Sequence, residues 1–135
     1  MLGEKIGSGS GKATGVRVIP GETSASKKME ISFSAQETWY RQKLMVNVTT
    51  TMWEKAPGVI YGEFHGIGMT PDGEGVIFDG IGTANMGEGG TMKIRGASSA
   101  ASRSKSLSKV NGILIISEID VAADQTCKVA HWEWK

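Results

Sequence analysis

GVIYGEFHGIGMTPDGEGVIFDGIGTA, residues 58–84, holds two strand-like runs, Val59–Met69 and Glu74–Ala84, on either side of the turn Thr70-Pro71-Asp72-Gly73. Proline presets the first turn residue and glycine accepts the positive φ that closes such a reversal. Within the runs, Gly62, Gly66 and Gly68 and then Gly80 and Gly82 recur at a spacing of two. Side chains alternate across a strand, so each run has one face almost bare of side chains. Glycine is a poor strand residue unless the sheet curves strongly or something approaches the backbone closely. The stretch therefore reads as a tightly coiled or closed antiparallel sheet.

Working outward, alternation and turn residues mark six more strands: Ile6–Ile19, Lys28–Gln36, Lys43–Trp53, Thr91–Ser98, Ile113–Val121 and Cys127–Lys135. Pro20-Gly21, Ala56-Pro57-Gly58, Gly87-Glu88-Gly89-Gly90 and Ala123-Asp124 separate them where reversals are favoured. Only Ser98–Val110, rich in Ala, Ser, Lys and Arg and ending at Asn111-Gly112, has a helical option. Eight strands with almost no helix must dispose of their sheet edges, and closure removes them. The expectation is one all-β domain over residues 1–135, an eight-stranded up-and-down antiparallel barrel, with a two-sheet sandwich as the alternative.

Composition narrows the function classes. A net charge of +1 is too balanced to attract nucleic acid or an anionic membrane surface. The lone Cys127 excludes an intramolecular disulfide framework and fits a reducing cytoplasm. No run approaches the roughly 20 apolar residues of a membrane helix, and Met1-Leu2-Gly3-Glu4-Lys5 lacks the pattern of a secretory leader. A soluble cytoplasmic protein is expected.

The glycine-rich motifs fail as phosphate sites. Gly7–Lys12 ends in Gly-Lys, but a phosphate loop needs glycine where Ile6 stands and Ser or Thr where Ala13 stands. Gly66-x-Gly68 continues to Pro71 and Gly80-x-Gly82 to Asn85, and both pairs lie inside strands rather than opening a helix. Gly96-Ala97-Ser98-Ser99-Ala100 lacks the second glycine of a nucleophile elbow. No cofactor is expected.

Two motifs place a carboxylate and an imidazole on one strand face: Glu63-x-His65 and His131-x-Glu133. Facing one cavity, they would offer a divalent metal two nitrogens and two oxygens. If Trp132 and Trp134 fill the core instead, His131 and Glu133 face water, and this reading is preferred, so no metal is expected. In the same way Tyr61, Glu63, His65, Ile67 and Met69 share one face, Ile60, Phe64 and the glycines the other; neither face is compelled inward. Asp79, Arg95 and Glu118 are isolated charges in apolar or small-residue strands, readable as a buried pair or, preferably, as an exposed cross-strand salt bridge. The candidate ligand-binding set is Tyr61, Glu63, His65, Asp79, Arg95 and Glu118, with Glu63 and Arg95 the candidate catalytic residues.

Tyr61-Gly62-Glu63, Thr70-x-Asp72-Gly73-Glu74, Gly80-x-Gly82, Arg95-Gly96, Leu107-x-x-Val110-Asn111-Gly112 and Trp132-Glu133-Trp134-Lys135 resemble a family of small uncharacterised microbial proteins of similar length. The resemblance spans roughly residues 58–135. It implies that Glu63, Arg95, Asn111 and Glu133 sit at signature positions, and it brings no known activity. The chain departs from that pattern at Phe64 and His65, where a glycine and a polar amide are usual. The family's eight strands are similar in turn to the calycin-like barrels of allene oxide cyclase. The leading expectation is a lumen that binds a small hydrophobic molecule. The alternatives are an isomerase or cyclase on the same barrel, and a structural module that forms a homo-oligomer. The last is favoured if the lumen proves to be filled.

Overall fold

The computed structural model describes residues 1–135. Eight strands follow one another around a closed antiparallel barrel: β1 (Leu2–Pro20), β2 (Lys27–Trp39), β3 (Gln42–Ala56), β4 (Val59–Met69), β5 (Gly75–Met86), β6 (Met92–Ala101), β7 (Leu114–Val121) and β8 (Thr126–Trp134). β1 closes the ring by pairing with both β2 and β8. Strand β4 has the bounds its sequence announces, because Pro57-Gly58 and Pro71-Asp72-Gly73 punctuate both ends; Gly58 and Gly73 take φ of 76° and 84°.

The reversal between β2 and β3 is different. It turns on Tyr40 and Arg41, both at positive φ (46° and 69°), with none of the usual turn residues. β2 therefore runs on to Trp39, three residues beyond the expected Gln36. Strand β6 also runs on, to Ala101, and the helical option shrinks to a 3₁₀ turn over Lys105–Val110.

The glycine faces of β4 and β5 point inward, and the aromatic rings of the facing strand occupy them. Phe64 opposes Gly80 and Phe78 opposes Gly66 in the β4–β5 register. A Cβ on Gly66 would lie 2.1 Å from the Phe78 ring, and one on Gly80 2.3 Å from that of Phe64. Two large rings thus fit inside a narrow barrel because their neighbours have no side chains. Strand β1 carries a second bare row, Gly7, Gly9 and Gly11, inside the strand expected over Ile6–Ile19.

The 3₁₀ turn plugs one end of the barrel. Its Leu107 and Val110 are fully buried against Ile6, Trp39, Leu44 and Phe78. Polar bonds tie it down. The Asn111 amide group accepts from Ser102 N–H and donates to Ser102 O, and Glu74 from the β4–β5 turn accepts from both Ser104 and Ser106 hydroxyls at 2.7 and 2.9 Å. Those two hydroxyl bonds hold the Glu74 carboxyl below its usual pKa. A depressed folded-state value means that this latch stabilises the plug above the ordinary carboxylate range and is lost as pH falls through the folded value. Amide exchange over Lys105–Val110, corrected for intrinsic rate, should therefore speed up below about pH 4. Glu74→Gln should speed it already at neutral pH; a pH-independent profile would show that the latch contributes nothing. At the opposite end Ile31, Met52, Met92, Val121 and Cys127 close the core without a covering segment.

Candidate functional site

β2 and β8 both flank β1, so a side chain on one can meet a side chain on the other only across β1. Gly7 is paired with Trp39 and with His131, and Gly9 with Glu37 and Val129. A Cβ on Gly9 would lie 2.6 Å from Cγ of Glu37, which shows that the glutamate side chain lies across the bare glycine. The bridge that results is a buried polar chain. His131 Nε2 is 2.9 Å from Glu37 Oε1, and His131 Nδ1 is 2.8 Å from Ser117 Oγ on β7. Glu37 and His131 are 4% and 6% exposed. The Trp39 ring packs against the imidazole at a tilt of 57°, with centroids 4.9 Å apart.

Nε2–H donates to Glu37 whether the imidazole is neutral in that tautomer or protonated. One carboxylate oxygen is then left over. Glu37 Oε2 and the Trp39 indole Nε1 are both buried with no hydrogen-bond partner in the protein. Buried polar atoms are almost always satisfied, and an orphan costs about 1–3 kcal/mol. Both residues border an internal cavity of about 50 Å³, whose wall is otherwise largely apolar: Phe33, Val46, Phe64, Phe78 and Ile94 among others. Cys127 also borders it, and its thiol pKa is raised first by burial and further by the negative charge of Glu37.

This site is not the expected one. Tyr61, Glu63, His65, Asp79, Arg95 and Glu118 lie on the outward row of their strands and none borders the lumen cavity. His65 Nδ1 and Asp79 Oδ1 meet at 2.5 Å on the exposed surface. Arg95 forms cross-strand contacts with Asp120 at 3.1 Å and Glu118 at 3.9 Å, exposed pairs of a kind that contribute about 0–1 kcal/mol. The Tyr61 ring lies beneath Lys55 Nζ, 4.5 Å from its centroid. Glu63 and Arg95 are two strands apart, opposite Ile81 and Thr83 of β5, and the structure does not bring them together.

The C-terminal motif is corrected in the opposite sense. His131 is inside, while Trp132 is half-buried on the outer face near Lys5 and Trp134 is 49% exposed. The inward row of β8 is Cys127, Val129, His131, and parity from Cys127 outweighs tryptophan bulk. With His65 outside and His131 inside, the two Glu/His motifs cannot share a metal, and no three His, Cys, Asp or Glu side chains gather as a metal site anywhere in the chain.

The sequence matches no family model and no curated protein. Solved structures match the fold along its whole length. A conserved protein of unknown function from Rhodopseudomonas palustris superposes with a TM-score of 0.79 at 13% identity, covering 99% of each chain. A β-barrel-like protein from Acinetobacter baumannii gives 0.80 at 12% identity over 100% of this chain and 96% of its own. A protein of unknown function from Clostridium acetobutylicum gives 0.78 at 8% identity over 96% of each. Identities this low show a shared β-barrel fold alone. No helix is long and apolar enough to cross a membrane.

Proposed function

We propose that this barrel is a binding protein for a compact, mainly apolar molecule held in its lumen. The observation that carries the reading is the internal cavity of about 50 Å³ with apolar walls and two orphaned polar atoms at one side. A wholly structural core has no use for an unsatisfied carboxylate oxygen, whereas binding sites combine apolar lining with a few placed polar groups. The volume limits the ligand. Drug-sized pockets run to about 300–1,000 Å³, so terpenoid-sized molecules are too large unless Phe64 or Phe78 moves. Architecture supports grouping the chain with the calycin-like barrels that include allene oxide cyclase, but architecture transfers no activity. With Glu63 and Arg95 apart on the outer face, the isomerase or cyclase reading has lost the pair it rested on.

Xenon is a suitable probe, being small, apolar and indifferent to hydrogen bonding. Its uptake by the folded protein should be saturable. Ala35→Val adds two methyl groups at the cavity wall and should weaken uptake without touching the outer face. Absence of saturable uptake by the parent protein would count against the reading.

A second reading, a homo-oligomeric module, draws on the outer face. The lumen is largely filled, and Met45, Met69, Ile67 and Ile77 form adjacent exposed pairs across β3–β5. Exposed apolar patches of this kind mark association surfaces. Sedimentation would show self-association that Ile67→Lys weakens, or a monomer at all concentrations.

A further inference from the structure

β1 is the longest strand, and β8 covers only part of it. The β1–β8 pairing ends with Lys12 opposite Thr126, and a final hydrogen bond runs from Ala13 N–H to the Gln125 carbonyl. Beyond that point β1 runs on to Pro20 with β2 as its only neighbour. An edge strand of this kind presents backbone N–H and C=O groups to any chain that can pair with them. Bulges and prolines blunt such edges, and both are present. The bulge at Thr14 and Pro20 stand at the two ends of the run, however, and leave Gly15–Ile19 uninterrupted.

The side chains along this edge are also uncovered. Val16 stands opposite Ile31 and Val18 opposite Met29, so both valines lie on the face of the sheet that lines the lumen. Ile31 is buried in the core, whereas Val16 and Val18 are 56% and 64% exposed. They lie at the uncovered end of the barrel, past the point where β8 stops. An occupant that pairs with the edge extends the wall and covers this row at once. Backbone pairing demands an extended chain whose alternate residues lie beside Val16 and Val18, and those residues must be apolar. The residues between them lie on the outer face beside Arg17. Arg17 is 3.1 Å from Glu30 on the β2 side, yet its side chain remains 70% exposed. Its guanidinium keeps N–H groups for a second carboxylate on the free side. The hairpin around it is basic, since Lys12, Arg17, Lys27 and Lys28 outnumber Glu22 and Glu30. A second copy of this edge would set the same basic residues against one another, which cross-strand pairing disfavours.

We propose that the free edge of β1 takes up an extended segment of another protein, one that alternates apolar and acidic residues. The site lies apart from the lumen cavity and from the outer face of β3–β5, and it stands whether or not either of those binds anything.

Three capped peptides as long as the free edge test this: one alternating Val and Glu, one Val and Lys, one Ser and Glu. Added to isotope-labelled full-length protein, the Val/Glu peptide should shift the amide signals of Gly15–Ile19 saturably and slow their exchange with solvent. It should bind more tightly than either of the others. Arg17→Glu, at an exposed position, should weaken Val/Glu binding by about 2- to 30-fold, one cross-strand attraction lost and one repulsion gained, and should strengthen Val/Lys binding. Should that variant fail to fold, the order of the three peptides on the parent protein decides. Equal binding of Val/Glu and Val/Lys, or of Val/Glu and Ser/Glu, overturns the assigned chemistry. Protection of Gly15–Ile19 that rises with protein concentration and needs no peptide makes a second copy the occupant and overturns it too. If no peptide binds saturably, or if the shifts fall outside β1, the edge has no such partner.

Discussion

His131→Ala is expected to destabilise the barrel by about 3–5 kcal/mol, because it leaves the Glu37 carboxylate buried without its partner. The imidazole is 6% exposed, bonded at both nitrogens and packed against Trp39, so truncation also opens a void beside an indole. For a domain of this size the loss corresponds to a fall in melting temperature on the order of 10 °C or more. Trp132→Ala, one residue along and half-buried on the outer face, should cost about 1 kcal/mol, the centre of the distribution for point substitutions. Chemical unfolding of the two variants decides the order. A larger loss at Trp132 would place the tryptophan in the core and His131 in solvent. The Glu37→Leu/His131→Leu double variant removes both partners at once and should lose less than the sum of the single variants, since no orphaned carboxylate remains. That non-additivity separates a coupled pair from two independently useful side chains.

The rank order of those two losses is the reverse of what the C-terminal sequence suggests, and the reason is physical. Bulk and hydrophobicity favour Trp132 and Trp134 as core, but strand parity is set by the whole row, and Cys127 and Val129 fix it for His131. Glu37 was hidden for another reason. With no Gly, Pro, Asn or Asp near it, the Tyr40-Arg41 reversal carries no turn signature, so β2 looks finished at Gln36 and Glu37 falls in an apparent loop. The legible signal was the period-two row Ile31, Phe33, Ala35, Glu37, Trp39, with a single carboxylate among apolar residues. The outer and inner faces of β4 were ambiguous because glycines carry no hydropathy. What fills them comes from β5, which a strand read alone does not show. By contrast, turn chemistry at Pro57-Gly58 and Pro71-Asp72-Gly73 is local, so strand number, order and closure were readable from the residues themselves.

Substitution in the bare row of β1 should give the other large effect. An added Cβ would come within 2.0 Å of the Thr38 carbonyl oxygen at Gly7, 2.2 Å of that of Gln36 at Gly9 and 2.1 Å of that of Ser34 at Gly11. These neighbours are backbone of the paired strand, so relief requires β1 and β2 to part. Overpacking of this sort costs about 1–3 kcal/mol, occasionally more, and at Gly9 the displaced Glu37 adds the loss of its bond to His131. Gly15 is the internal control. Nothing lies within 4 Å of its Cβ position and its φ is not positive, so Gly15→Ala should be neutral or stabilise by about 0.4–1 kcal/mol through the unfolded chain. The same one-carbon change on one strand should thus differ in sign between positions 9 and 15. A complementary cycle isolates the ring-over-glycine device. The nearest obstacles at Gly66 are all atoms of the Phe78 ring, so Phe78→Leu should relieve much of the cost of Gly66→Ala, with a coupling energy of about 0.5–3 kcal/mol. No coupling would mean that the glycine serves strand curvature rather than room for the ring.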